Sequence, residues 1–295
     1  MQKCFKYEGS KCIKIMRLID NISDLKAIIR CQKRLDRTIG FVPTMGYFHD
    51  GHVSLMKASI SHNDFTIVSI FVNPIQFGDN EDLDKYPRDI IRDLSIAECE
   101  GVDVVFMPDI NTMYPDGYKT YVEVSDITQA LCGKTRKGHF KGVSTVVSKF
   151  FNIVEPDKAY LGQKDAQQLI VIQKMVKDLN MNVEIISCPI IREKDGLAMS
   201  SRNVYLNEYE RKSATVLSRS LKEAEKLVNA GERSTEVIKK NVEDIINNEH
   251  NANIEYIEIV DVENLENIEI INSKALIAVA VKFGNTRLID NVIVE

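Results

Sequence analysis

The run Pro43-Thr44-Met45-Gly46-Tyr47-Phe48-His49-Asp50-Gly51-His52 sets two imidazoles three residues apart with a glycine between them. It follows a β-rich segment, residues 38–42, and leads into an amphipathic stretch, residues 53–62. In a beginning helical turn, positions i and i+3 share a face, so His49 and His52 converge, and Gly51 lets a ligand approach the backbone. N–H groups at a helix N-terminus favour phosphate, and imidazoles there, cationic or neutral, can stabilise charge developing on a phosphoryl group. Two plainer readings compete. An H-x-x-H zinc site needs three or four ligands, and no third histidine or cysteine lies at a suitable local distance. The histidines could also merely pack.

A second run, Leu161-Gly162-Gln163-Lys164-Asp165 followed by Gln167-Gln168, also sits where a strand opens into a helix. Gly162 permits close approach, Lys164 is a point charge for a phosphate, and Asp165 can cap the helix or accept from ribose hydroxyls. Alone it reads as an ordinary strand-to-helix turn; beside the first run it gains meaning. The third, from Ile191 through Met199-Ser200-Ser201-Arg202 to Asn203, offers two hydroxyls and a guanidinium, a set suited to a triphosphate. A solvated linker is its plainer reading.

These residues need strand ends to hold them. From Met16 the pattern alternates: a helix over 23–35, a strand over 38–42 with Pro43 at its end, a helix over 53–62, and an apolar run at 66–72 of the kind buried on both sides of a parallel sheet. A polar loop to Pro87, a helix over 88–100, Gly101 and a strand over 102–107 follow. Helices over 143–154 and 166–180 and strands over 158–161 and 183–188 complete a doubly wound parallel α/β sheet, whose ligands belong at the C-terminal strand ends. After Pro189 the character changes. Asn207 with Glu210 starts a helix that Gly231 closes, Ser234 caps another to about Asn248, and the last 40 residues read as antiparallel strands with a Gly284-Asn285 hairpin. The expected division is residues 1–15 as an extension contributing little to the fold, 16–189 as the nucleotide-binding α/β domain, and 190–295 as a smaller α+β lid domain.

The composition limits partners. The 295 residues carry 38 Lys+Arg against 43 Asp+Glu, a net charge of −5, which disfavours general nucleic-acid binding because that depends on clustered positive charge. Gly133 to Lys137 is a short basic loop, read as solvated or near an anionic ligand. The longest apolar run, Ala275 to Val281, is far short of the roughly 18 residues of a spanning helix, and the N-terminus lacks the apolar core of a signal peptide. Six scattered cysteines without a C-x-x-C pair suit a reducing compartment, so the expected location is cytoplasmic, with no membrane partner.

Taken together, P-T-M-G-x-x-H-x-G-H and M-S-S-R resemble the two nucleotide-binding signatures of the nucleotidyltransferase superfamily. From about Gly40 to Asn291 the chain resembles the pantoate–β-alanine ligases. The further matches include Ser69 to Phe77, Tyr86-Pro87-Arg88, Met113 to Gly117, Gly138 to Val143 and Gly284 to Asn291. The resemblance implies a Rossmann-like domain followed by a smaller α+β domain, and a ligase condensing pantoate with β-alanine through pantoyl adenylate. It implies that ATP is held by Met45, Gly46, Tyr47, Phe48, His49, Asp50, Gly51 and His52, by Gly162, Gln163, Lys164 and Asp165, by Ile191, and by Met199, Ser200, Ser201 and Arg202. It implies catalytic roles for His52, as proton donor, and for His49 and Lys164. Pantoate falls to Gln76 and Gln168, β-alanine to Gln76, Mg²⁺ rides on the ATP phosphates without a dedicated protein metal site, and the assembly is a homodimer. Asp79 to Asp84 is expected to be a solvated flap over the site. Another adenylyl- or cytidylyltransferase and a non-catalytic nucleotide sensor are the alternatives; a tRNA synthetase is disfavoured by the acidic balance.

Overall fold

A computed structural model describes residues 15–78 and 81–295. Residues 1–14, most of the expected extension, and Asp79 and Asn80, the first two residues of the expected flap, lie outside the described residues.

The chain runs β1 (Arg17–Ile19), α1 (Ile22–Arg34), β2 (Ile39–Thr44), α2 (Asp50–His62), β3 (Phe65–Ile70), α3 (Ile90–Glu100), β4 (Val104–Phe106), α4 (Ile110–Met113), α5 (Cys132–Thr135), α6 (His139–Val154), β5 (Lys158–Gly162), α7 (Ala166–Asp178) and β6 (Glu184–Cys188). It continues with α8 (Glu208–Ser213), α9 (Val216–Asn229), α10 (Thr235–Asn247), β7 (Ala252–Asp261), β8 (Ala275–Phe283) and β9 (Thr286–Val294). The first six strands form one parallel sheet in the order β1-β4-β3-β2-β5-β6. Successive strands march outward from β2 through β3 to β4, and the chain then returns to lay β5 on the other side of β2. The C-terminal ends of β2 and β5 therefore flank a topological switch point, where an open sheet leaves a crevice.

Alternation along the strands splits the core in two. Phe41, Ile67, Val104 and Phe106 face α1, α6 and α7 through Leu25, Ile29, Phe150, Leu169 and Ile172. Val42, Val68, Ile70 and Val105 face α2 and α3 through Leu55, Met56 and Ala97. Both sides of the sheet are covered, which is why its strands read as continuous apolar runs.

The C-terminal unit is an antiparallel sheet, β7-β8-β9, backed by α9 and α10. Its central strand β8 contains the Ala275 to Val281 run and is buried on both faces. Ala275, Ile277, Val279 and Val281 pack on α9 and α10, while Leu276 and Ala278 meet Ile127, Leu131, Phe140 and Val171 of the larger unit. That second contact fastens the small sheet to the large one.

Several boundaries differ from the sequence reading for identifiable reasons. Strand β2 runs through Pro43 to Thr44. Its pairing with β5 covers only Gly40 and Phe41, so the missing proline N–H forfeits no ladder bond on that side. Short edge strand β1 was missed because three half-exposed residues carry no period. Helix α6 begins at His139, four residues before its apolar pattern, after Gly138 at φ 80° and with no side-chain cap to announce it. The single helix expected from Asn207 to Gly231 is two: the Asn207/Glu210 capping box starts α8, which stops at Ser213, and α9 starts at Val216.

One glycine ties the fold to the crevice. Gly142, on the first turn of α6, lies against the Pro74–Gln76 turn that follows β3. A Cβ there would come within 2.7 Å of the backbone of Ile75 and Gln76. Gly142→Ala is expected to destabilise the protein by about 1–3 kcal/mol, the usual cost of overpacking. Urea unfolding would measure it, and an unchanged midpoint would show that α6 does not brace this turn.

Candidate active site

The β2–α2 turn is built by hydrogen bonds from three directions. Thr44 Oγ1 donates to the Ser69 carbonyl (2.6 Å) and accepts from Gly46 N (3.1 Å). Gly46 and Tyr47 both adopt left-handed backbone, φ 82° and 53°. They are held by the buried carboxylate of Asp93 on α3, which accepts from Tyr47 N (2.6 Å) and Phe48 N (2.7 Å). Burial, opposed by these N–H bonds, raises the Asp93 carboxyl above its ordinary value.

The helix α2 then starts three residues earlier than its apolar pattern, because histidines cap it. His49 is the N-cap, its Nδ1 accepting from Gly51 N (3.1 Å), and His52 at the third helical position reaches back so that its Nδ1 accepts from His49 N (3.4 Å). An Nδ1 that accepts carries no proton, so both rings hold theirs on Nε2. The ring centroids are 4.1 Å apart. Burial, then the charge of Lys164, hold His49 down to about 4 despite Asp165 and Asp50 nearby. Burial, His49 and Lys164 hold His52 well below 6.5. The pair is neutral at pH 7, two Nε2–H donors rather than two cations.

Across the crevice, Gly162 ends β5 and residues Gln163–Asp165 make one turn of 3-10 helix into α7. The loop is clamped from the C-terminal sheet: Asn291 Nδ2 donates to the carbonyls of Gln163 (3.1 Å) and Lys164 (3.0 Å), and Asn291 Oδ1 accepts from Gln163 Nε2 (3.2 Å). Asn291 is fixed by Asp290, which also takes Arg192 in a two-pronged pair (2.6 and 3.0 Å). The third run closes the ring, with Ser201 Oγ donating to the Tyr47 carbonyl (3.3 Å).

These elements line a cavity of about 220 Å³ that shares residues such as Arg136, Lys164 and Arg202 with an adjoining cleft of about 990 Å³, lined also by residues of β8 and β9. The cavity is lined by Met45, His49, Gly51 and His52, by Gly162, Lys164 and Asp165, by Ile191, and by Met199, Ser200, Ser201 and Arg202. Gln76 and Gln168 line it as well. Five of the expected nucleotide residues stand outside it. Phe48 is fully buried in the core between the sheet and α2. Tyr47 lies under the Arg92 guanidinium, 5.5 Å from its ring centroid. Gly46 turns against Asp93, Asp50 occupies the first position of α2, and Gln163 turns toward Asn291 and Ser187.

The acidic residues 81 and 82 are not solvated as expected. Asp82 takes the Arg202 guanidinium through two bonds (3.0 and 2.8 Å), and Glu81 takes Arg136 likewise (2.8 and 2.5 Å). Although burial opposes it, the Arg202 pair holds Asp82 below its ordinary value. In the basic loop of residues 133–137, Arg136 is the half-buried member, while Lys134, 3.6 Å from Glu258, and Lys137 are exposed as expected. Among the described residues no three His, Cys, Asp or Glu side chains gather as a metal group, and no helix is long and apolar enough to cross a membrane.

Sequence reasoning missed Asp93, which reads as one more acid on an exposed helix. It also gave no role to His139, Asn73, Asp290 and Asn291. The signal for the last two was present: an Asp-Asn pair inside an apolar strand, 1% and 4% exposed, has to be satisfied by something specific.

The family profile described as Pantoate-beta-alanine ligase matches residues 17–293. A protein named pantothenate synthetase from Acetivibrio thermocellus is 65% identical over 280 residues, covering 95% of this chain and 100% of its own. The crystal structure of pantothenate synthetase from Thermus thermophilus superposes with a TM-score of 0.90 at 41% identity, over 94% of this chain and 99% of its own. That of pantoate-beta-alanine ligase from Francisella tularensis, complexed with beta-gamma ATP and beta-alanine, gives a TM-score of 0.79 at 36% identity, over 95% and 98%. The chain belongs to the pantoate–β-alanine ligase family.

Two buried imidazoles, His49 and His139, are each held at about 4 against an ordinary 6.5. Between those values the unfolded chain binds protons that the folded one refuses. Their contribution is therefore fully present above pH 6.5 and is lost as pH falls toward 4. Up to about 3 kcal/mol per ring is at stake. Urea unfolding midpoints should decline steadily from pH 6.5 to 4.5, and the ring proton resonances should titrate near pH 4. Titration of either ring near 6.5 would contradict the neutral site.

Proposed function

We propose that this chain condenses (R)-pantoate with β-alanine to pantothenate, converting ATP to AMP and pyrophosphate through a pantoyl-adenylate intermediate. The observation that carries this reading is the convergence of three separate runs, 45–52, 162–165 and 199–202, on the cavity at the switch point of the sheet. Membership of the family supplies the substrates.

In the first step a pantoate carboxylate oxygen attacks the α-phosphorus of ATP, and the bond to the bridging oxygen breaks to release pyrophosphate. We assign the triphosphate to Lys164, Ser200, Ser201 and Arg202, with His49 and His52 donating from Nε2–H to its oxygens. Adenosine runs past Met45 and Gly51 toward Ile191, and Mg²⁺ enters on the nucleotide as part of the substrate. Because the imidazoles are neutral, the proton-donor role of His52 becomes that of a hydrogen-bond donor aimed at growing phosphoryl charge. Arg202 is paired with Asp82, so its binding a triphosphate would exchange one anion for another at the same fork.

In the second step the neutral amine of β-alanine attacks the acyl carbon. The C–O bond to AMP breaks, the amide forms, and the nitrogen loses a proton. Adenylation is required because a free carboxylate has no good leaving group. Gln76 and Gln168 are the proposed pantoate contacts, with Gln76 also near β-alanine. Asn73 Nδ2 donates to Gln76 Oε1 (3.0 Å), and Tyr114 Oη donates to Asn73 Oδ1 (2.8 Å), so the Gln76 amide arrives oriented. The adenylate must be kept from water, and the proposed division at Ile190 makes the second domain its cover. A homodimer and a cytoplasmic location complete the proposal on the strength of the family resemblance.

Product analysis with each substrate omitted in turn tests the reaction: AMP should accumulate only with ATP, pantoate and β-alanine all present. His52→Ala is expected to slow pyrophosphate release by about 10²–10³-fold, the usual loss for one transition-state donor. Circular dichroism should show the fold intact. Near-full pyrophosphate release from the variant would remove His52 from the chemistry.

A further inference from the structure

Amide formation makes a demand that adenylation does not. β-Alanine enters carrying its own carboxylate, which loses water inside the crevice and needs a cation to replace it. The amide of Gln76 can accept or donate, but it brings no charge. Of the cationic side chains lining the cavity, Lys164 and Arg202 are committed to phosphate in the reading above. Arg136 is not.

Arg136 follows α5 and lines both the inner cavity and the outer cleft. Its fork already holds a carboxylate: Nε and Nη2 donate to the two oxygens of Glu81 at 2.8 and 2.5 Å, the side-by-side geometry by which arginine recognises a carboxylate. The third arm, Nη1, lies 2.9 Å from His139 Nε2. His139 is buried, and its Nδ1 lies 2.8 Å from the Gln76 carbonyl. A carbonyl only accepts, so the His139 proton is on Nδ1 and Nε2 accepts from Arg136. The guanidinium is thus oriented, through one neutral ring, by the backbone of the residue proposed to contact both acids.

We propose that Arg136 is the receptor for the β-alanine carboxylate, that Glu81 competes for the same fork, and that His139 is the positioning residue aligning Arg136 with Gln76. This rests on the ligase reading and adds to it the determinant of amino-acid specificity. With the carboxylate anchored on Arg136, the two-carbon spacer between carboxyl and nitrogen sets how far the amine reaches, and an amine without a carboxylate forfeits the anchor.

The half-reactions separate the two claims. Pantoate-dependent exchange of pyrophosphate into ATP needs no β-alanine; its absence from the wild-type enzyme would overturn the ligase reading itself. With exchange present, Arg136→Gln should keep the exchange rate within about threefold while KM for β-alanine rises on the order of 10²-fold. The wild type should prefer β-alanine strongly over its neutral analogue 3-aminopropanamide, and the variant should lose that preference. Arg136→Lys should recover part of it. The double variant Glu81→Gln/Arg136→Gln leaves no unpaired buried charge and should reproduce the same split, which excludes a folding defect as its cause. An unchanged KM for β-alanine, or loss of exchange in both the single and the double variant, would overturn the assignment of Arg136 to the amino acid.

Discussion

The buried carboxylate of Asp93, accepting from two consecutive backbone N–H groups, is the interaction on which the rest of the site depends. Left-handed backbone at Gly46 is inexpensive, but at Tyr47 it opposes the side chain, and a turn of that shape needs an external reason to persist. Asp93 supplies it through two short charge-assisted bonds made where little water competes. Everything downstream inherits that geometry. Phe48 drops into the core, His49 lands at the N-cap of α2, and His52 follows one turn later with its ring against that of His49. The two Nε2–H donors face the crevice because their Nδ1 atoms are engaged by the backbone. Asp93 does not itself line the cavity, so its effect on the site is one of placement.

A second constraint is electrostatic. The crevice must receive a triphosphate and two carboxylates, yet the chain as a whole is negative. The cations that would draw those anions in cannot be left bare in a partly dry cleft without cost. The two arginines are paired internally, Arg202 with Asp82 and Arg136 with Glu81, both from one short acidic loop. The histidines avoid the problem differently, by remaining neutral. On the proposed assignments, binding substrate would be an exchange of partners at forks already in position, with the desolvation of those arginines met during folding.

The sequence disclosed the architecture well, for physical reasons. Strands covered on both sides by helices carry long apolar runs, and the hairpin at Gly284-Asn285 and the Ser234 cap act through local chemistry that one residue announces. The strand-end runs pointed to phosphate only in combination, because Gly, His, Lys and Ser at a single strand-to-helix turn or linker also serve plain structural ends. What stayed hidden was tertiary. Asp93 resembles any helix acid until α3 is packed beneath the β2–α2 turn. The acids at 81 and 82 read as solvated until the arginines from residues 136 and 202 arrive beside them. Phe48 and Gln163 fell inside nucleotide motifs by sequence, yet one is core and the other faces the neighbouring strand, because a motif specifies a backbone path and not the direction of every side chain along it.

The clamp of Asn291 on the Gln163 and Lys164 carbonyls bears on the order of assembly. The residue 163–165 loop leaves β5 at Gly162, and part of its support, the Asn291 clamp, comes from β9, more than 120 residues later in the chain. Contacts of such long sequence separation form late, after loop-closure entropy has been met by the packing of each unit. The larger sheet can therefore acquire its strands and most of its core before a competent nucleotide pocket exists. With Lys164 on phosphate as proposed, nucleotide binding would stabilise both units together, since unravelling the small sheet releases the loop that carries it. On that assignment ATP would couple the two sheets into one cooperative block.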